Sequence, residues 1–246
     1  LLRVKKIDDA MEVIETALSI DPDHAPSWAA KGMILFELKK DKDAISHLKR
    51  AIVLGLHEKG IYRSLAEGYM RVGDQTAALD TYSAALAAIP DDIDILTFKA
   101  DLLSNMKRHA DALAVCDDIL SLDPKNRNTI LQKSRVLVSV GRSSEALTLL
   151  ERGIELYPND IDFLDEKKEV LKKREEFEEV IRYCNILISM GSKSAKVYKD
   201  KGYALLRYGD PVEALANFET ALSIDPNDAD TCHYYAEASH LNGDSA

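Results

Sequence analysis

The side chains best suited to chemistry in this chain are six histidines, three cysteines, several paired carboxylates and a periodic set of lysines. His24, His47, His57, His109, His233 and His240 are scattered, and none forms the H-E-x-x-H arrangement that sets two imidazoles on one helix face around a metal. Cys116, Cys184 and Cys232 have no C-x-x-C spacing, and an odd, widely spaced set does not make a disulfide framework. They read as apolar thiols in a core, which points to a reducing, cytoplasmic compartment. There is no glycine-rich phosphate loop and no G-x-S-x-G nucleophile turn. Asp91-Asp92 falls between helical stretches, where water solvates the pair. No constellation meets the first requirement of an active site. The expectation is a non-enzymatic chain with no catalytic residues, no metal and no cofactor.

Charge and composition narrow the partners. Thirty-two Lys and Arg against 42 Asp and Glu give a net charge of −10. Nucleic-acid binding rests on clustered cations that displace counterions, so this balance argues against it. No apolar run approaches the ~18–20 residues of a membrane span, and no basic, apolar leader opens the chain. It begins Leu1-Leu2 without a methionine, as expected of a processed chain or a piece of something longer. Glycine and proline make up only 18 of 246 residues, too few for a turn-rich sandwich or barrel. With 46% apolar and 30% charged residues, wholesale disorder is excluded.

The elements that position these residues recur. Pro22, Pro90, Pro124, Pro158 and Pro226 are separated by multiples of 34 residues. The two vacant slots, Leu56 and Ser192, each follow a glycine, Gly55 and Gly191. Proline lacks an N–H and glycine tolerates positive φ, so every slot can stop a helix. With Ala25 as phase 1, six complete periods follow without insertion: 25–58, 59–92, 93–126, 127–160, 161–194 and 195–228. Partial periods flank them at 1–24 and 229–246. Phase 8 is small in most periods (Gly32, Ala66, Ala100, Ser134, Gly202, Ala236), as is phase 20 (Ala44, Ala78, Ala112, Ala146, Ala214). Phases 4, 8 and 11 share one helical face, and phases 20, 24 and 27 share another. Gly73, Gly141, Gly209 and Gly243 mark a turn near phase 15, and Asp210-Pro211 reads as an N-cap followed by proline at the first helical position. The unit is helix A, turn, helix B, loop.

This 34-residue unit resembles the tetratricopeptide repeat. Trp28, Gly32, Leu35, Ala44, Leu48 and Ala51 fill the family's pattern in one period, and Tyr198, Gly202, Leu205, Ala214, Phe218, Ala221 and Pro226 fill it in another. The resemblance extends over the whole chain. It implies an all-α, right-handed superhelical solenoid of antiparallel helix pairs, about fourteen helices in a single array over 1–246. It also implies a protein-interaction scaffold that holds a peptide or protein in a concave groove lined by helix A. The related pentatricopeptide unit, which reads RNA, has a 35-residue period and does not fit. The family's clamp for the C-terminal carboxylate of heat-shock chaperones needs lysine at phase 5 and asparagine at phase 9. Here those phases read Ala29/Met33, Arg63/Glu67, Thr97/Asp101, Leu131/Arg135, Asp165/Glu169 and Lys199/Tyr203, so that clamp is not expected. Two other readings stand beside the scaffold: a regulatory or recruiting segment of a larger enzyme whose catalytic domain lies elsewhere, and a self-assembling structural array.

Candidate binding residues follow from the face opposite phases 4, 8 and 11. Met33, Phe36 and Met70 fall there with Arg63 and Arg71 beside them, a composition typical of interface anchors. Arg135 and Tyr203 occupy the same face further along. Asp162 and Asp165 stand one period before Lys196 and Lys199, which suggests lateral ion pairs. Phase 7, usually leucine, is lysine at Lys31, Lys99, Lys133, Lys167 and Lys201. These stems are expected to lie along the neighbouring repeat, with each ammonium near the carboxyl end of the preceding helix B and with Asp21 and Asp123 as candidate partners for Lys31 and Lys133. Period 161–194 departs most, with Lys168 at phase 8, Val180 at phase 20 and Glu175 in place of the turn glycine. Looser helix packing or a displaced helix A is expected there. At the ends, Ile7, Ala10, Met11 and Ile14 face outward from one side and Cys232, Tyr235, Ala236 and Ala238 from the other. Weak head-to-tail self-association is the expected consequence.

Overall fold

The computed structural model describes the backbone of residues 2–243 and the side chains of residues 6–243. It contains fourteen helices and no strand among those residues. The A helices are α2 (Ala25–Glu37), α4 (Lys59–Arg71), α6 (Ile93–Asn105), α8 (Arg127–Ser139), α10 (Ile161–Lys173), α12 (Ala195–Tyr208) and α14 (Ala229–Leu241). The B helices are α1 (Leu2–Ile20), α3 (Asp41–Val53), α5 (Gln75–Ala88), α7 (His109–Leu122), α9 (Ser143–Leu156), α11 (Phe177–Ser189) and α13 (Pro211–Ile224). Every helix A begins at phase 1, and every helix B from α3 onward begins at phase 17. None of them is long and apolar enough to cross a membrane.

Local chemistry sets these boundaries. Asp74, Asp92, Asp160, Asp210 and Asp228 each accept a backbone N–H in the first turn of the helix they precede. Asp210 does so from Glu213 at 2.9 Å, with Pro211 opening α13 as its fixed φ favours. At the other end of helix A the chain leaves through a left-handed residue at phase 15. Gly73, Gly141, Gly209 and Gly243 have positive φ there, but so do Lys39, Lys107 and Glu175, at 58–60°. The Lys40 N–H bonds the Leu35 carbonyl at 2.9 Å and the Lys39 N–H bonds that of Phe36 at 3.0 Å. This closing motif occurs with or without glycine.

The chain forms two compact units, Leu1–Thr129 and Ile130–Ala246, and the boundary falls inside α8. In both, the small phases let paired helices approach: Ala44, Ala78, Ala112, Ala146, Val180 and Ala214, all at phase 20, are fully buried. A Cβ on Gly202 would come within 2.6 Å of the Phe218 ring, so that A–B pair closes only without one. Period 161–194 keeps the same register, so α10 is not displaced along the chain, but α10 and α11 pack less closely than α2 on α3, α6 on α7 or α12 on α13, the looser packing expected there. Val180, Cys184 and Leu187 are fully buried in it, and Cys184 stands at phase 24, as Cys116 does, where Leu48, Tyr82, Leu150 and Phe218 stand elsewhere. The Cys184 thiol is close enough to the Lys168 ammonium to feel its charge, and it is smaller than the side chains at this phase in most other periods. Burial also pushes the Cys184 thiol up to about 12, so it remains protonated at neutral pH. Cys232, expected in a core, is exposed on α14.

Candidate functional site

In Leu1–Thr129, helices α2, α4 and α6 lie side by side and present phases 2, 5, 9, 12 and 13 on one wall. Met33 of α2 and Met70 of α4 are 42% and 37% exposed on it. Phe36 is half-buried instead. Its ring rests on Gly68 of α4, where an added Cβ would come within 2.3 Å of Cζ. The Arg71 guanidinium lies over the same ring at 5.2 Å and is 3.5 Å from the Asp41 carboxylate. Arg63 is engaged more fully. It pairs with Glu67 at 2.8 Å and lies 5.4 Å over the Phe98 ring, which stacks in turn on Tyr82. Burial, with Glu67 nearby, pushes the Tyr82 phenol up to about 12. Met33, Phe36, Met70 and Arg71 thus belong to the α2–α4 surface, and Arg63 to the α4–α6 surface.

In Ile130–Ala246 the corresponding wall carries α10, α12 and α14. Arg135 is held by Glu166 at 2.6 Å. Tyr203 sits within an aromatic group, edge-on to Phe177 and 5.0 Å from Tyr234, with the Arg207 guanidinium 5.2 Å above its ring. Between α10 and α12 lies a charge network that residue spacing only hinted at. Lys168, with no exposure, donates to Asp165 and Asp200, both at 2.7 Å, and its Nζ is 3.2 Å from Glu169. Asp200, 3% exposed, is also bound by Lys172 at 2.5 Å. Lys196 reaches Glu169 at 3.0 Å and Asp165 at 3.8 Å, so this lysine makes the lateral contact expected of it. Lys199 does not; it pairs with Asp228 at 2.7 Å, and this hydrogen bond lowers the Asp228 carboxyl pKa. For Lys168, burial opposes the charge, but Asp200 and Asp165 outweigh it and hold the ammonium pKa above its ordinary value. For Glu169, burial pushes the carboxyl up while Lys168, Lys196 and Lys172 pull it down to about 2.

The phase-7 lysines pair differently from the expectation. Lys31 bonds Glu15 at 3.3 Å and Lys167 bonds Glu151 at 2.8 Å. Both acids stand at phase 25, in the body of the preceding helix B and not at its carboxyl end. Tyr235, at phase 7 of α14, bonds Glu219 at the same sixteen-residue separation. Asp21 and Asp123 instead accept N–H groups within their own loops. Lys201 lacks a phase-25 acid and turns to Glu213 at 3.0 Å. Phase 6 would have revealed part of what was missed. Phe98, Asp200 and Tyr234 stand out there as two aromatics and a buried acid on a wall otherwise small or polar.

Paired helices repeating every thirty-four residues, with exposed methionine and arginine-capped aromatics on the helix-A wall, define a helical-repeat array. Tetratricopeptide-repeat profiles match residues 3–123, 105–165 and 195–228, and the chain belongs to the tetratricopeptide repeat family. It is 23% identical over 231 residues to stress-induced-phosphoprotein 1 of Caenorhabditis elegans, covering 91% of this chain and 69% of that protein. It is 25% identical over 152 residues to anaphase-promoting complex subunit 7 of Arabidopsis thaliana, covering 61% of this chain but only 27% of that protein. Among solved structures, the C-terminal part of a TPR repeat-containing protein from Cytophaga hutchinsonii superposes with a TM-score of 0.77 at 14% identity, covering 95% of this chain and 96% of that one. The family and these relatives support a protein-interaction scaffold.

Proposed function

We propose that this chain is a non-enzymatic scaffold that holds an extended or helical protein segment against the helix-A wall of Leu1–Thr129. Met33, Phe36 and Met70 form the apolar anchor, with Arg71 and Arg63 at its edges; Arg135 and Tyr203 act on the wall of the second unit. The observation that carries this reading is the pair of exposed methionines, Met33 three residues before a half-buried Phe36 that Arg71 covers and Met70 at the phase of that phenylalanine on the next helix A. Methionine is flexible and polarisable and adapts to a partner's apolar side chain. Arg71 lies over the Phe36 ring and reaches Asp41 only at 3.5 Å, so its guanidinium is available to a partner's carboxylate. The three free thiols suit a reducing, cytoplasmic setting.

The test is quantitative affinity capture with the wild-type chain and the Met33→Asp, Met70→Asp double variant. Because both side chains are exposed, the variant is expected to retain its helix content and melting temperature. It should lose at least tenfold of each specific partner. Undiminished capture by a folded double variant refutes this wall as the binding surface.

A further inference from the structure

Among the six complete periods only 59–92 lacks the phase-7 lysine, and a cavity lies at that junction. Period 59–92 has Leu65 at phase 7, and the preceding phase 25 is Lys49. A cavity of about 340 Å3 opens between α3 and α5, with α4 as its floor, lined by Leu65, Ile52, Tyr62 and Thr81 among others and with Lys49 and Asp80 at its rims. Lys167 shows what occupies this place elsewhere. Its stem crosses toward the preceding helix B, its ammonium bonds Glu151 at 2.8 Å, and it lies 5.0 Å over the ring of Tyr183, at phase 23. In the cavity both large groups are replaced by smaller ones, Lys167 by Leu65 and Tyr183 by Thr81. The charge at phase 25 is reversed as well.

The walls make few demands of their own. The Thr81 hydroxyl already donates to the Ala77 carbonyl at 2.7 Å, and the Tyr62 hydroxyl is paired with His57 Nδ1 at 2.8 Å. Lys49 and Asp80 have no ion-pair partner among the described residues. Lys49 stands where Glu15 and Glu151 receive the phase-7 cation. Asp80 stands at phase 22, which makes no pair to the preceding helix at the equivalent junctions. Arg182, its counterpart beside Lys167, pairs within its own helix with Glu179.

We propose that this cavity binds a small amphiphilic monocarboxylate, its alkyl tail over Leu65 and Thr81 and its carboxylate on Lys49. Such a ligand is the charge-reversed counterpart of the lysine side chain missing from phase 7. The volume sets its length. An apolar cavity of ~150 Å3 holds a benzene-sized guest, so this one takes a guest roughly twice as large, an alkyl chain of about eight carbons. Asp80 at the opposite rim disfavours a second anionic group.

The test titrates the isotopically labelled full chain with octanoate, octylammonium and octanol, following backbone amide shifts by NMR. Octanoate is expected to shift amides of α3, α4 and α5 and to bind at least tenfold more tightly than the other two. Lys49→Glu should reverse the order in favour of octylammonium. Leu65→Lys and Thr81→Tyr, each restoring a residue found at that phase in other periods, should fill the cavity and abolish binding with the helix content unchanged. Tighter binding of octylammonium by the wild type, equal binding of octanol, or octanoate binding retained by a folded Leu65→Lys or Thr81→Tyr variant overturns the proposal.

Discussion

Lys168→Met removes one charge from the α10–α12 network while keeping an unbranched stem of similar length. In the native arrangement Lys168, Lys172 and Lys196 face Asp165, Glu169 and Asp200, so the six charges balance. The substitution leaves a net negative charge beside Asp200, whose side chain is 3% exposed. Breaking a buried ion pair by removing one partner costs ~3–5 kcal/mol. Asp200 keeps Lys172 at 2.5 Å and Asp165 is one-third exposed, so the lower end applies, about 3 kcal/mol. The single tryptophan, Trp28, lies in the other unit and reports poorly on this loss. Hydrogen exchange by mass spectrometry over α10–α12 reads it directly, and about 3 kcal/mol corresponds to a roughly hundredfold loss of protection. Repeat arrays need not unfold in one step, so a local measure is preferable to a global midpoint. Combining Lys168→Met with Asp200→Asn should cost less than the two single changes added, by ~1 kcal/mol or more, because the residues touch. Unchanged or increased protection in Lys168→Met would refute the reasoning, for it would mean that desolvation of the charges cancels their attraction.

Acid should weaken the same unit. Glu169 has its carboxyl held at about 2 against an ordinary 4.5, so its contribution is fully present above pH 4.5 and is lost as pH falls toward 2. The difference is on the order of 3 kcal/mol, and urea midpoints across that range should depend on pH less in Glu169→Gln than in the wild type. Gly68→Ala should destabilise Leu1–Thr129 by ~1–3 kcal/mol, because the new Cβ meets both the Phe36 ring and Ile45, 3.1 Å away; chemical denaturation followed by Trp28 fluorescence measures it. Phe36→Ala should cost ~2 kcal/mol by the same assay, since the ring is half-buried against α4. Lys107→Gly should stabilise by ~0.5–1 kcal/mol in thermal melts, as relief of a left-handed conformation worth ~1–2 kcal/mol outweighs glycine's extra chain entropy. Light scattering at rising concentration should show weak head-to-tail association through the uncovered Cys232 and Ala236 of α14, and a constant monomer mass would exclude it.

How much of this was legible in the sequence follows the range of each interaction. The thirty-four-residue period, the Asp210-Pro211 cap and the small phases are local signals repeated many times, and each helix from α2 onward starts at the phase they imply. The left-handed turn was legible at its glycines and hidden at Lys39, Lys107 and Glu175, because the hydrogen bonds that close helix A impose it on any residue. The lysine ladder was legible as a buried stem, but its partner was misplaced. A helix-end argument considers only the carbonyls, whereas antiparallel packing brings phase 25 of the preceding helix B to the ammonium, as Glu15 and Glu151 show. Lys168 was legible as an intrusion at a small phase. Its accommodation was not, since that depends on Asp200 thirty-two residues onward, an ordinary residue in its own helix. Phe36 marks the same limit on the candidate wall. Its phase assigned it to the open face, but the ring is half-buried and turns onto Gly68 of the next helix A, so this side chain packs α2 on α4 as well as bordering the proposed binding surface. A substitution there must therefore be read by stability and by binding together, whereas the more exposed Met33 and Met70 should, on the proposed function, report on binding.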